Sequence, residues 1–326
     1  MRIFIYGNDG RLAVCRRFLL SAYEKGELPS GVGDVHLLPI PSYRFSLSDF
    51  TGDLGGHSDG ACAAEDLQKH RSAQEGVACS AIGAQGEKNK EASQREQDGA
   101  AVTRRPSVTP REQESESRAT DGGTIDLIVG YGVHPSFFEF EGVRVLDLEA
   151  DEPFLRRNAR LTALGTVGTL LCEHTRALPE LCVGVIGYGR IGRELVDILS
   201  FLETELVVFS ANGRTREELS TQKIRTVPII WQGNDTQNIK DCLQNEGITR
   251  VPDILLNTSP AKFSAKFFDG YAGKIYDLAS GEPIPQTVEY TRLASLPMRM
   301  YSESAGHAVY ESVMTALYEI DREQIR

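Results

Sequence analysis

Short apolar runs alternate along this chain with stretches in which apolar residues recur every three or four positions. Arg2–Tyr6, Val35–Leu38, Ile125–Gly130 and Val143–Leu148 are compact runs of the kind that form buried strands. Between the first two, Gly7-Asn8-Asp9-Gly10 reads as a turn, and Leu12, Val14, Cys15, Phe18 and Leu19 fall on one helical face. Helical periodicity returns from about Pro153 to Arg176, in one piece or two, with Leu161, Leu164, Leu170 and Leu171 as inward candidates. A second set of strands is expected at Val183–Ile186, Leu206–Phe209, Thr226–Ile230, Ile254–Asn257 and Ile275–Leu278. A helix with Ile191, Leu195, Ile198, Leu199 and Leu202 on one face follows the first of them. A last helix over about Ala305–Asp321 places Ala305, Ala308, Val309, Ser312, Val313, Ala316, Leu317 and Ile320 inward. Apolar strands alternating with helices imply parallel sheets covered on both faces.

One stretch breaks this pattern. Thr51 to Gly130 contains no Phe, Trp or Tyr, and Gly, Ala, Ser, Gln and Glu dominate until about Thr124. Such a segment buries too little apolar area to offset the entropy of ordering it. The expected organisation is therefore a small N-terminal α/β domain made of 1–50 and 124–150, a disordered insertion over 51–123 and a helical connector over 151–181. A dinucleotide-binding Rossmann domain over 182–304 and a C-terminal helix over 305–326 complete it. The fold class is α/β, with two Rossmann-like or flavodoxin-like parallel-sheet domains.

Composition narrows the function classes. The chain has 326 residues and a formal charge of −11, which disfavours nonspecific contact with nucleic acid or anionic membrane. No apolar run approaches the length of a membrane span. Cys15, Cys62, Cys79, Cys172, Cys182 and Cys242 form no CxxC pair, and the histidines are scattered. Free thiols in a reducing, cytoplasmic setting and no metal site are the expectation.

The sharpest motif is Gly187-Tyr188-Gly189-Arg190-Ile191-Gly192. This G-x-G-x-x-G follows an expected strand and opens an expected helix. The first glycine permits the turn, the second lets backbone approach a pyrophosphate, and the third lets helix and strand pack closely. The end of the next strand, Phe209-Ser210-Ala211-Asn212-Gly213-Arg214-Thr215-Arg216, carries no acid to bind the adenosine ribose of NAD. Ser210 and Arg214, with Arg216 nearby, suit a 2′-phosphate, so NADP is favoured and NAD stays open. Asn257-Thr258 follows a later strand at the position expected for the nicotinamide end, although a helix-cap role before Lys262 and Phe263 fits those residues as well.

Substrate-side chemistry is less marked. Arg160 could clamp a carboxylate or sit in an exposed ion pair. Ser280, in Asp277-Leu278-Ala279-Ser280-Gly281, lies at the same expected sheet edge as Asn257, where Asp277 could also brace the loop. His307 at a helix start and His134 are the candidate acid/base groups, with packing or capping as the alternative for each.

Taken in order, Ile5–Arg11, Asn158–Thr169, Val185–Gly192, Asp253–Pro260, Asp277–Ser280 and Ser304–Gly306 resemble the dinucleotide-binding chain of the dipicolinate synthase family. The resemblance implies hydride transfer between NADP or NAD and a small cyclic dicarboxylate of the lysine and dipicolinate pathway, in sporulating cells. It also implies a flavoprotein-like second subunit. In this chain Glu282 and Glu303 stand in stretches where that family tends toward basic residues, which works against a dicarboxylate. Two alternatives stand beside this reading: a 2-hydroxy-acid-type dehydrogenase with another substrate, and a noncatalytic dinucleotide-binding partner subunit. Monomer and homodimer are both open.

Overall fold

The computed structural model describes residues 1–6, 9–29, 32–38, 40, 124–133, 142–229 and 237–324. The expected insertion over 51–123, the turn residues Gly7 and Asn8, and His134 lie outside these described residues.

The first half builds a four-stranded parallel sheet in the spatial order of the chain: β1 (Ile3–Ile5), β2 (Val32–Leu37), β3 (Ile125–Gly130) and β4 (Val143–Asp147). Helix α1 (Gly10–Glu24) follows β1 and is capped by Asp9, whose carboxylate accepts the Arg11 N–H. The same carboxylate meets the Arg11 guanidinium at 2.7 Å, with both side chains buried.

Helix α2 (Glu152–Glu173) leads to the second half. Asp151 caps it, Pro153 sits in its first turn where no N–H is needed, and it runs unbroken. Thr162, Thr166 and Thr169 each return a hydroxyl hydrogen bond to the carbonyl four residues earlier, so their polarity is satisfied within the helix. Of the four inward leucines expected here, Leu170 is fully buried, Leu161 and Leu164 are half-buried, and Leu171 is exposed. Leu171 starts the last turn, where the inward stripe has rotated to Leu170.

The second sheet has six parallel strands: β5 (Cys182–Ile186), β6 (Glu205–Ser210), β7 (Arg225–Pro228), β8 (Ile254–Asn257), β9 (Lys274–Asp277) and β10 (Thr291–Arg292). Their spatial order is β10-β9-β8-β5-β6-β7. Counted in chain order from β5, this is the 3-2-1-4-5-6 arrangement of doubly wound dinucleotide-binding folds. Helices α3 (Arg190–Phe201), α4 (Gly213–Thr221) and α5 (Ile239–Asn245) connect the strands. Short α6 (Leu296–Met300) precedes the long α7 (Ser302–Gln324).

Side chains alternate across the second sheet. Val183, Val185, Val208 and Leu256 face Ala163, Val167 and Leu170 of α2 and Leu195, Val196 and Leu199 of α3. Cys182, Ile186, Phe209 and Leu255 face Ile239 and Leu243 of α5 and the trio Phe263, Phe267 and Phe268. Burial on both faces explains why these strands read as continuous apolar runs. The first sheet has its own core, in which Leu12, Cys15 and Leu19 of α1 meet Val309, Val313, Leu317 and Ile320 of α7. The chain thus returns after the second sheet to cover the first. Gly306 permits the contact: a Cβ there would lie 2.5 Å from Val14 Cβ and 2.7 Å from the Arg11 carbonyl oxygen.

Within the first sheet, His36 is buried, stacks on Phe4 at 4.9 Å and has Nδ1 3.0 Å from the Tyr6 hydroxyl. Burial pushes its imidazole below the ordinary value of 6.5. Below that value the unfolded chain binds a proton that the folded chain resists, so stability falls as pH drops through 6.5 and levels off below the folded-state value. His174, lowered chiefly by burial as well, adds a contribution of the same sign. The urea midpoint is expected to decline between about pH 8 and about pH 5, and less steeply in His36→Gln. An equal decline in that variant would remove His36 as a source.

Candidate functional site

The fingerprint loop leaves β5 at the point where strand order reverses, between β5 and β8. Gly187 has φ +91°, and its N–H donates to the Phe209 carbonyl at 2.9 Å. A Cβ on Gly187 would lie 2.9 Å from Thr258 Oγ1, and one on Gly192 would lie 2.3 Å from the Gly187 carbonyl oxygen. These two glycines are required by the packing of loop, helix and strand. Gly189 differs, because a Cβ there would meet nothing within 4 Å. The space above it is open, and the protein's own packing does not demand a glycine.

Gly189 is also the N-cap of α3, and no side chain caps that helix. Asp9, Asp151, Asn212 and Asn238 cap α1, α2, α4 and α5 with side-chain oxygens. The free N–H groups at the start of α3 and the positive end of its dipole therefore face open space. That arrangement suits a pyrophosphate, and the residues present fit a dinucleotide. Tyr188 and Ile191 do not face that space alone: both are half-buried against the core between sheet and α3. The Arg193 guanidinium covers the Tyr188 ring at 5.1 Å.

Arg190 Nη2 donates to Glu152 Oε2 at 2.7 Å and its Nε to the same oxygen at 3.1 Å, joining the start of α3 to the start of α2. It also lies within electrostatic reach of Tyr131, at the C-terminal end of β3. Burial and the Glu149 carboxylate push the Tyr131 phenol up, while Arg190 opposes them. The C-terminal edges of the two sheets thus converge around Arg190. Glu152 and Tyr131 carry no motif that would have marked them in the sequence.

At the end of β6, Ser210 is buried and its Oγ accepts the Asn212 N–H at 3.2 Å. Arg216 Nη1 donates to the Ser210 carbonyl at 2.9 Å and braces the loop. Arg214 is exposed, and its guanidinium has no partner among the described residues.

Asn257 is fully buried at the end of β8. Its Nδ2 donates to Asp277 Oδ1 at 2.8 Å and to the Ser259 carbonyl, and its Oδ1 accepts the Ser259 N–H. Thr258 Oγ1 lies 3.0 Å from the Ile186 carbonyl and 3.2 Å from that of Gly187, tying this loop to the fingerprint. Asp277, also fully buried, meets Arg292 Nη1 at 2.6 Å and accepts the Ala279 N–H. Arg292 Nη2 reaches the Ala279 carbonyl at 2.7 Å. The ends of β8, β9 and β10 are therefore one closed polar network. Arg292, on a two-residue strand, has no periodic signal in the sequence. Ser280 follows this network and is exposed.

The other substrate-side candidates are engaged elsewhere. Arg160 projects from α2 to Glu194 of α3 at 3.0 Å. His307 lies on α7, edge-on to Phe18 at 5.1 Å, with Nδ1 3.7 Å from Glu311. Glu303 pairs with Arg17 of α1. Glu282 is exposed after Gly281.

No helix among the described residues is long and apolar enough to cross a membrane. No family model and no curated protein matches the chain. Solved structures do. The A chain of dipicolinate synthase from Bacillus subtilis superposes with a TM-score of 0.50 at 16% identity, over 61% of this chain and 66% of that one. The corresponding dipicolinate synthase chain from Bacillus halodurans gives 0.49 at 16%, over 59% and 66%. A transhydrogenase from Sinorhizobium meliloti gives 0.42 at 14%, over 59% and 67%. The match thus spans 66% of the length of either dipicolinate synthase chain. At this identity the likeness is one of fold alone.

Proposed function

We propose that this chain is an NAD(P)-dependent oxidoreductase acting on a small molecule. The observation that carries the reading is the uncapped start of α3 at Gly189, open above and set at the switch point of a 3-2-1-4-5-6 sheet. A bound nicotinamide would supply the hydride chemistry. The chain's own residues bind and orient. Gly187 and Gly192 shape the loop, and the N–H groups of α3 take the pyrophosphate. Asn257 and Thr258 act as positioning residues, since their polar atoms hold the loop beside the nicotinamide end. Arg214, exposed and without a protein partner among the described residues, takes a 2′-phosphate, which makes NADP the preferred cofactor.

For the substrate we carry forward a small cyclic dicarboxylate of the dipicolinate type. Its support is the run of short matching motifs together with the shared fold. Ser280, exposed beside the closed network, is the substrate-side residue best placed to reach it. A second reading is favoured by a specific observation: Arg160 pairs with Glu194 on a neighbouring helix, and His307 lies edge-on to Phe18, 3.7 Å from Glu311. On that reading the chain binds dinucleotide without turnover and supports a second, catalytic protein.

Calorimetric titration with NADPH and with NADH tests the cofactor site. Arg214→Ala is expected to weaken NADPH binding by about tenfold or more and to leave NADH nearly unchanged, because one charge-assisted contact is worth about 1.5–3 kcal/mol. Equal losses for both would remove the phosphate assignment. Failure of the unaltered chain to bind either would remove the oxidoreductase reading.

A further inference from the structure

The opposite edge of the six-stranded sheet holds a cavity of about 550 Å³ where the strands begin. The residues just before β5 and β8, the first residue of β9, the exit of α2 and the start of α5 form its walls. Its charge is lopsided. Lys240, Lys274 and Arg176 line it against a single carboxylate, Asp253.

That carboxylate is already engaged. Asp253 Oδ1 meets Arg176 Nη1 at 3.1 Å, and Oδ2 accepts the Cys182 N–H at 2.8 Å and meets Arg250 Nη2 at 3.2 Å. Two guanidinium groups thus meet this acid, while Arg176 also lies 3.9 Å from Glu180 and Arg250 also pairs with Glu205. Lys240 and Lys274 have no ion-pair partner among the described residues. Lys240 Nζ lies at the rim, 3.6 Å from where a Cβ on Gly270 would be. Burial and then the Lys274 charge hold His174 below its ordinary value. Its Nε2 is taken by the Tyr276 hydroxyl at 3.0 Å. In a chain of net charge −11, Lys240 and Lys274 are thus two unpaired positive charges beside apolar walls from Leu181 and Pro252. Like charges held near a concave, low-dielectric surface focus potential on an anion.

We propose that this cavity binds a small organic dianion, a phosphate monoester or a dicarboxylate. Lys240 and Lys274 hold the charged head as point charges, Arg176 sits at its flank, and Leu181 and Pro252 meet the carbon skeleton. The site stands apart from the dinucleotide loop, at the other end of the same strands, and does not rest on the oxidoreductase reading.

The experiment is calorimetry on the full chain with inorganic phosphate and, separately, succinate, at fixed ionic strength. Lys240→Gln/Lys274→Gln is compared with the unaltered chain. Both lysines are exposed, so the double variant is expected to keep its fold, which its urea midpoint verifies. Saturable binding of at least one anion is expected, weakened about tenfold or more in the double variant. Tighter phosphate binding points to the monoester and tighter succinate binding to the dicarboxylate. Phosphate held by the fingerprint loop would survive the double substitution. Undiminished binding in the variant therefore overturns the proposal, as does the absence of saturable binding of both anions by the unaltered chain.

Discussion

Gly192→Val is expected to lose dinucleotide binding and to destabilise the fold by about 1–3 kcal/mol or more. The first added carbon would lie 2.3 Å from the Gly187 carbonyl oxygen and 3.1 Å from its carbon. Both are backbone atoms, so no rotamer change relieves the clash. Gly187 cannot retreat easily. Its N–H is bonded to Phe209, its φ is left-handed, and its carbonyl is met by Thr258 Oγ1. The alternative is for α3 to back away from the sheet, which opens the seam formed by Leu195, Val196 and Leu199, all fully buried. Either movement displaces the free N–H groups at the helix start. Gly189→Ala makes the informative contrast. Its φ of −79° suits alanine and its Cβ meets nothing, so the fold should be unaffected. The methyl group would occupy the space assigned to the pyrophosphate, so binding should still weaken. Urea unfolding and NADPH titration read both effects. Unchanged stability in Gly192→Val would refute the packing argument. Unchanged binding in Gly189→Ala would move the pyrophosphate elsewhere.

The second large effect is expected from Arg292→Ala. Asp277 is wholly buried and Arg292 is about a third exposed, at 34%. Removing the guanidinium leaves a buried carboxylate with only the Asn257 amide and the Ala279 N–H for company. Breaking a buried pair by deleting one partner costs about 3–5 kcal/mol, and the partial exposure of the arginine places this case toward the lower figure. Asp277→Asn in the same background removes the stranded charge while keeping an acceptor oxygen, and should recover most of the loss. A double-mutant cycle from urea midpoints measures the coupling. Additive losses would show that the two residues do not act together. The single variant should also weaken dinucleotide binding, because Asn257 depends on Asp277 and in turn holds the loop at Ser259.

The elements of the fold were largely legible because burial on both faces writes itself as apolar runs. β5 and β8 are buried from end to end, and the eight inward positions assigned to α7 are all buried. Order within the sheet was not legible, since strand neighbours depend on crossovers that no local pattern records. β10 escaped notice because two residues cannot show a period. At the site, Gly187 and Gly192 could be read because each answers to a steric demand. Arg292, Glu152 and Tyr131 could not, because ion pairs and cross-sheet approaches join residues far apart in the chain. The same limit explains Arg160 and His307. Their residue types suit a cleft, but Glu194 holds the Arg160 guanidinium and Glu311 lies beside His307, one turn along the same helix.

The return of α7 to the first sheet has a consequence for biosynthesis. The strands of that sheet leave the ribosome early, yet their core includes Val309, Val313 and Leu317, which follow the entire six-stranded sheet in the chain. The later half can therefore close its own core while the earlier half still waits for its cover. The first sheet is therefore expected to complete its core last, with Val35, Leu37, Leu127 and Val129 waiting for α7. During that interval a chaperone has the most surface to hold, and a truncation before α7 should strand the N-terminal sheet even though none of its strands is touched.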